Sequence, residues 1–402
     1  MSAFLDWTNL LTRWFHVVAG IAWIGSSFFF IWLDRHLEKT ATPAKRVEGE
    51  LWMVHSGGFY RMEKRLIAPG EVPGTLHWVK WEATLTWISG MFLLAVIYYL
   101  TDGIYLLDAA VSPLTTGAAI ALSLGVIVGG WLAYEAVWRS PLAGAGWPAS
   151  LVSLGLLSLI VYGLFETLSG RAAFIHVGAL LGTLMVTNVW VVILPSQQRM
   201  VAAAARGEEP DFSEGAKAKV RSVHNSYLTF PVIFTMVSSH FPQTYAGDRG
   251  WMVLLALCVA GAAARHAMIG GTMFGLRKEW ALAPTAAGIA AAIVLSTAPT
   301  ARAAPATTLS SDATEGATFA EARVVIAARC ASCHSSAPTD QMFTVAPNGI
   351  AFDTPQQMVG FSARILERAV VQRTMPFANK SGMTDEDRDI LRRWIESGSP
   401  LR

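Results

Sequence analysis

Long apolar stretches separated by short polar ones run from near the N-terminus to about residue 298, and they predict a helical bundle. Stretches near residues 10–33, 83–100, 114–138, 149–168, 172–194, 223–241, 251–274 and 280–298 are each close to the ~20 residues a helix needs to cross ~30 Å of hydrocarbon. Eight spans are expected. The last is rich in alanine and holds Pro284, so a buried amphipathic segment is its alternative. The pattern then changes: residues 299–318 are Ala, Pro, Ser and Thr for the most part, a composition that buries no core and behaves as a flexible linker. Residues 319–402 form a small unit. A first helix runs from Phe319 to about Cys330, and a last one is opened by Thr384 with Asp385, Glu386 and Asp387 in its first turn, as a capped helix start prefers. Ile390, Leu391, Trp394 and Ile395 then share one face at helical spacing.

Composition agrees with lipid as the solvent for most of the chain: of 402 residues, 53% are hydrophobic and only 15% charged. Loop charge orients the bundle. Connections after the odd-numbered spans hold sixteen basic residues, whereas the alternate connections hold only Arg171 and Arg249. The positive-inside rule places the basic connections in the cytoplasm. Both termini are then expected in the periplasm of a bacterial inner membrane, in a multi-pass arrangement. The first apolar run lacks a basic leader and a small-residue cleavage site, so it reads as a retained anchor. A net charge of +2 is too small to imply nucleic acid as a partner.

Cys330, Ala331, Ser332, Cys333 and His334 spell C-A-S-C-H. Two thiols at this spacing can each add to a haem vinyl group while the adjacent histidine ligates the iron, so the motif reads as covalent attachment of one haem c. A C-x-x-C redox pair would expect a βαβ setting that the flanks do not offer. Met342, Met358, Met375 and Met383 are the candidates for the second axial ligand. Met375 is preferred because Pro376 stiffens its non-helical stretch, with Met383 next. Cys258 reads as a small buried residue, and no structural disulfide is expected.

Ionisable groups inside spans default to functional roles. His16 and His176 sit in similar settings, W-F-H-V-V-A-G and F-I-H-V-G-A-L, and are candidates for a b-type haem pair in the membrane domain, with His240 as the alternate and His224 or His266 serving a second site. Electrons crossing the bilayer to the tail need such intermediate carriers. Hydrogen-bonded bundle histidines or proton relays are the other reading. His224, Asn225, Arg265 and His266 form a candidate catalytic group, because buried arginine suits a planar anion and histidine can take a proton; an ion pair of Arg265 with Glu135 or Glu82 is the plainer alternative. Gly125 and Gly129 suggest close helix packing. The first loop, with His36, His55 and His77, is long enough to form a cap over the inner opening.

The tail resembles small class I cytochromes c in its C-x-x-C-H, later Met-Pro and terminal helix, which implies His334 as the proximal iron ligand and Cys330 and Cys333 as thioether anchors. Nearly the whole chain resembles the membrane-bound, cytochrome c-fused urate oxidases, through W-F-H-V-V-A-G-I-A-W-I-G-S-S-F-F-F, H-S-G-G-F-Y, H-N-S-Y-L-T-F-P-V and the C-A-S-C-H with its Met-Pro. The expected fold is thus all-α: an eight-helix transmembrane bundle over residues 1–298, the linker, and a periplasmic cytochrome c-like unit over 319–402. The resemblance implies oxidation of urate to 5-hydroxyisourate, with oxygen from water and electrons passed through the haem to a respiratory acceptor such as a soluble cytochrome c or a terminal oxidase. A membrane-anchored cytochrome c subunit of a larger complex, without its own substrate, is the alternative.

Overall fold

The computed structural model describes residues 2–39, 46–101, 103, 105–108, 111–144, 146–245, 247–270, 277–297, 317–340, 343, 346–347 and 350–401. The bundle comprises α1 (Ser2–His36), α2 (Trp81–Leu94, continued by a π-helical turn over Ala95–Tyr99), α3 (Thr116–Arg139), α4 (Trp147–Phe165), α5 (Gly170–Thr187), α6 (Leu194–Ala205), α7 (Phe212–Ser238), α8 (Gly250–Ile269) and α9 (Leu282–Thr297). A π-helical stretch, Asn188–Ile193, joins α5 to α6 in one rod.

Among the described residues, seven helices are long and apolar enough to cross a membrane. Eight were expected from the apolar pattern. The predicted sixth span lies in α7, which is 27 residues long, but its first half carries Glu214, Lys217, Lys219 and Arg221 and is too polar to be counted with the rest. α5 is the most enclosed of the seven and α1 the least. Phe174, Leu180, Leu181, Leu164 and Leu254 are fully or almost fully buried around α5, whereas Trp14, Ile21 and Phe30 of α1 face outward, as lipid-facing positions should.

Close packing is not where the small residues of α3 suggest. An added methyl at Gly125 or Gly129 would meet nothing within 4 Å. At Gly178 of α5, however, it would lie 2.2 Å from Thr235 Oγ1 of α7. Only glycine lets these two helices approach so closely.

The all-α expectation is departed from in the first loop, where β1 (Val47–His55) and β2 (Gly58–Arg65) pair antiparallel. Ser56 and Gly57 form the two-residue turn with φ of 50° and 75°, the left-handed pair that such tight hairpins need. Arg46 bonds Glu209 at 2.7 Å and Lys64 bonds Asp34 at 2.6 Å, so the hairpin is pinned to the connection after α6 and to the end of α1.

The predicted linker lies outside the described residues except for Ala317 and Thr318, which already belong to the folded tail: Ala317 is buried and Thr318 caps α10 (Phe319–Arg329) in a reciprocal capping box with Glu321. The tail continues through α11 (Pro355–Gly360), α12 (Ser362–Ile365), a π-helical turn (Leu366–Val371) and α13 (Asp385–Glu396). Thr384 and Asp387 form the capping box expected at α13. Leu391 and Trp394 on the predicted stripe are fully buried, and Trp394 packs on Phe319 with ring centroids 5.9 Å apart.

Candidate functional site

Three sites emerge: a buried polar layer with two adjoining cavities near the hairpin end of the bundle, the C-A-S-C-H turn of the tail, and the surface where tail and bundle meet.

The polar layer is built from α3, α5, α7 and the π-helical stretch after α5. Arg221 pairs with Glu135 at 3.1 Å and donates to Asn188 Oδ1 at 3.2 Å. Asn188 Nδ2 donates to Tyr134 Oη at 3.1 Å and to Asn225 Oδ1 at 2.9 Å, and Asn225 Nδ2 donates to the Met185 carbonyl. Tyr134 Oη in turn lies 2.7 Å from His224 Nδ1. The π-helical widening at Asn188 matters here, because such insertions re-aim side chains and frequently mark functional positions. Arg139 also holds Glu135, at 2.8 Å, so this carboxylate has two cationic partners. Arg221 and Tyr134 were not singled out by their sequence context; only the fold places them between Glu135, Asn188 and His224.

The layer separates two cavities. The smaller, of about 320 Å³, lies among α1, α2, the α5–α6 rod and α7, and is lined by Trp23, Trp78, Glu82, Gln197, Asn225 and neighbouring hydroxyls. Its size falls at the lower end of small-molecule sites, about 300–1,000 Å³. Glu82 Oε2 is buried there with no hydrogen-bond partner among the described residues. His77 of the first loop also lines this cavity. The larger cavity, of about 690 Å³, is mostly apolar and is lined by Tyr134, Trp138, His224, Tyr227 and His266 among many leucines and alanines. His224 Nε2 has no partner there, while His266 Nδ1 lies 2.6 Å from Tyr227 Oη.

The four candidate catalytic residues are therefore divided. His224 and His266 line the larger cavity, Asn225 the smaller, and Arg265 neither: it donates to Ser226 Oγ at 2.7 Å with its guanidinium 3.7 Å from the centre of the Phe28 ring. Glu135 is the partner of Arg221 rather than of Arg265.

The two histidines proposed as a b-haem pair are each held by hydrogen bonds to other groups. His16 Nδ1 is held at 3.0 Å by the Thr86 carbonyl and by Ser89 Oγ. His176 is fully buried with both ring nitrogens engaged, Nδ1 at 2.7 Å from the Ala172 carbonyl and Nε2 at 3.0 Å from Tyr99 Oη. Each histidine is thus partnered by a different stretch of α2 and its continuation. His240, the alternate, is exposed in the turn after α7. Of the histidines considered for a b-type haem, His224 and His266 share a cavity.

In the tail, α10 ends at Cys330, and the amides of Cys333 and His334 both return to the Cys330 carbonyl, at 3.2 and 3.0 Å. Both thiols and the imidazole are thereby held on one tight turn. His334 Nδ1 lies 2.9 Å from the Ile350 carbonyl, a bond that fixes the ring and leaves Nε2 as the coordinating nitrogen. Burial, together with neighbouring Cys333, pushes the Cys330 thiol up to about 12. Met383 and Met358 are buried in the tail core at 3% and 4% exposure, whereas Met375 is half-buried on a non-helical stretch beside that core. Arg388 fastens this stretch by donating to the Met375 carbonyl at 3.0 Å and to the Ala369 carbonyl. Met342 lies outside the described residues. The donor set of two thiols, an imidazole with a committed Nδ1 and a half-buried thioether fits a c-type haem.

At the opposite end of the bundle from the hairpin, Tyr105 meets Phe377 of the tail, and the Arg171 guanidinium lies over both rings.

A family described as urate oxidase, N-terminal matches residues 2–297, the bundle without the tail. Comparison with curated proteins and with solved structures finds no significant match.

Proposed function

This chain belongs to the urate oxidase N-terminal family, and we propose that it is a membrane-bound oxidoreductase that oxidises urate to 5-hydroxyisourate and passes the electrons to a c-type haem on its own tail. In the reaction, ring carbon 5 gains a bond to a water oxygen while two protons and two electrons leave. A c-type haem held by Cys330, Cys333, His334 and Met375 supplies one-electron transfer, and a soluble cytochrome c or terminal oxidase is the onward acceptor. The bundle's contribution is to bind the purine away from bulk water, to orient it and to accept protons.

The observation that carries this reading is the union in one chain of a urate oxidase-family bundle with a turn that offers two thiols and an Nδ1-anchored histidine. Polar groups around a partly open cavity support an enzyme over a passive anchor, since a mere anchor has no use for the buried, unpartnered Oε2 of half-buried Glu82. From the positive-inside pattern, the hairpin end faces the cytoplasm and the tail end the periplasm. Glu82 and Tyr98 lie on one continuous helix, 16 positions apart, or about 24 Å at 1.5 Å per residue. That span exceeds a single comfortable electron jump, so an intermediate carrier is part of the proposal. The larger cavity, with His224 and His266 on its wall, is the place in the bundle best suited to a b-type haem.

The test is anaerobic addition of urate to purified, haem-loaded protein in the oxidised state. Reduction of the c-type band is expected; an unchanged spectrum refutes the assignment.

A further inference from the structure

We propose that the smaller cavity, between α1, α2, the α5–α6 rod and α7, is the purine-binding site, and that Glu82 is its proton acceptor. This rests on the urate reading and assigns it a place. Four observations converge. The volume, about 320 Å³, suits a small bicyclic molecule rather than a macrocycle or a lipid tail. Trp23 and Trp78 on its wall offer flat apolar faces to a planar ring. Gln197 and Asn225 offer amides, groups that can both donate and accept and so match the alternating N–H and C=O edge of an oxidised purine. Finally, Glu82 Oε2 is buried without a partner among the described residues, and a buried acceptor left unmade is costly unless a ligand donates to it.

Asn225 is held rigid for this task. Each end of its amide makes one bond, to Asn188 and to the Met185 carbonyl, which fixes the wall before the ligand arrives and leaves one N–H and one oxygen lone pair for it. The larger cavity carries His224, Tyr227, His266 and Arg277 on its wall but, among the described residues, neither a carboxylate nor a side-chain amide, so it lacks the acceptor and the amide edge that the smaller one brings together.

The chemistry balances with Glu82 in this role. As water oxygen bonds to ring carbon 5, the two electrons pass toward the c-type haem of the tail, one proton goes to the Glu82 carboxylate and the other to solvent. A carboxylate facing a urate anion is tolerable only while it accepts a hydrogen bond from a ring N–H, the group whose proton it then receives.

The test uses full-length, haem-loaded protein. Anaerobic calorimetry with the haem pre-reduced measures urate binding without turnover, and stopped-flow reduction of oxidised haem measures the chemistry. Gln197→Ala should weaken binding about tenfold, one lost hydrogen bond, and Gln197→Glu, of equal size, should weaken it further by repelling the anion. Glu82→Gln should bind within about threefold of the parent yet reduce haem 10²–10⁴-fold more slowly, the usual range for a lost general base. Leu154→Trp, which fills part of the larger cavity, should bind urate as the parent does.

A parent that binds and oxidises urate, with Glu82→Gln and Gln197→Glu indistinguishable from it, overturns the site and leaves the urate reading intact. Loss of binding in Leu154→Trp alone moves the site to the larger cavity and likewise overturns it. A parent that binds urate through Gln197 but never reduces its haem refutes the oxidation and upholds the cavity. A parent that does neither overturns both.

Discussion

Phe377 of the tail packs at a tilt of 55° against Tyr105 of the bundle, with ring centroids 4.5 Å apart, and the Arg171 guanidinium lies 4.9 Å from the centre of the tyrosine ring and 5.9 Å from that of the phenylalanine. Phe377 follows Met375 and Pro376 directly, so this contact puts the stretch that would cover the haem against the bundle. Tyr105 also packs edge-on to Tyr98, and Tyr98 to His176. An unbroken series of rings therefore runs from the bundle core to the tail.

Replacing Phe377 with Ala should loosen this docking while leaving the haem attached. An aromatic pair with a cation over it contributes about 1–3 kcal/mol, so the docked fraction, and with it the rate of haem reduction by urate, should fall roughly tenfold. Stopped-flow spectra of wild type and variant at matched haem content decide it; equal rates would show that electrons leave the bundle elsewhere.

Met375 and Met383 should separate cleanly. Met375→Ala is expected to abolish the low-spin methionine signature and keep the haem covalently bound. Met383→Ala removes a core side chain and should cost about 2–5 kcal/mol of tail stability while retaining that signature. Absorbance near 695 nm and thermal melting of the haem-loaded protein distinguish the two, and a signature lost only in Met383→Ala would reverse the assignment.

Severing the buried network should be felt as stability. Breaking a buried ion pair typically costs about 3–5 kcal/mol; Arg221→Met should fall below that figure because Arg139 still holds Glu135. The melting temperature of the purified bundle should nonetheless drop by several degrees, and Asn188 loses the donor that orients it. An unchanged melting temperature would mean that Arg221 and Glu135 are not paired.

The Cys330 thiol, pushed up to about 12 by burial and by Cys333 beside it, is almost wholly protonated at pH 8. Only about one part in 10⁴ is thiolate there, against roughly a quarter for an ordinary cysteine near 8.5. Alkylation of Cys330 in haem-free protein should therefore be slow at pH 8 and rise about tenfold per pH unit, followed by mass spectrometry. Rapid labelling at pH 8 would contradict the buried setting.

The bundle and tail helices were legible because apolar length and capping residues act locally: Thr384 with Asp387, and the Leu391 and Trp394 stripe, lie where spacing alone puts them. The C-A-S-C-H turn was legible because its chemistry is contiguous. The β1–β2 hairpin was readable too, in the alternation of V-E-G-E-L-W-M-V-H before S-G-G, but the abundance of charge in that loop masked it. The cavities were not readable. Glu82, Gln197 and Trp23 are far apart in sequence, and their convergence depends on how α1 leans on α2 and on the π-helical stretch that resets the rod before Gln197. The partners of the histidines were not readable for the same reason: His16 and His176 share a local motif, yet the groups that hold them are set by α2 and its continuation, which no local motif encodes.

The absence of a side chain at Gly178 leaves α5 and α7 flush against each other, with no slack for either to slide or tilt alone. Two walls of the smaller cavity are thereby immobilised. The remaining freedom belongs to α1, the least enclosed helix, which packs chiefly on α2 and carries Trp23. Admission of a solute to that chamber is thus a matter of α1 swinging aside, and a disulfide stapling α1 to α2 would shut the entrance without touching its interior.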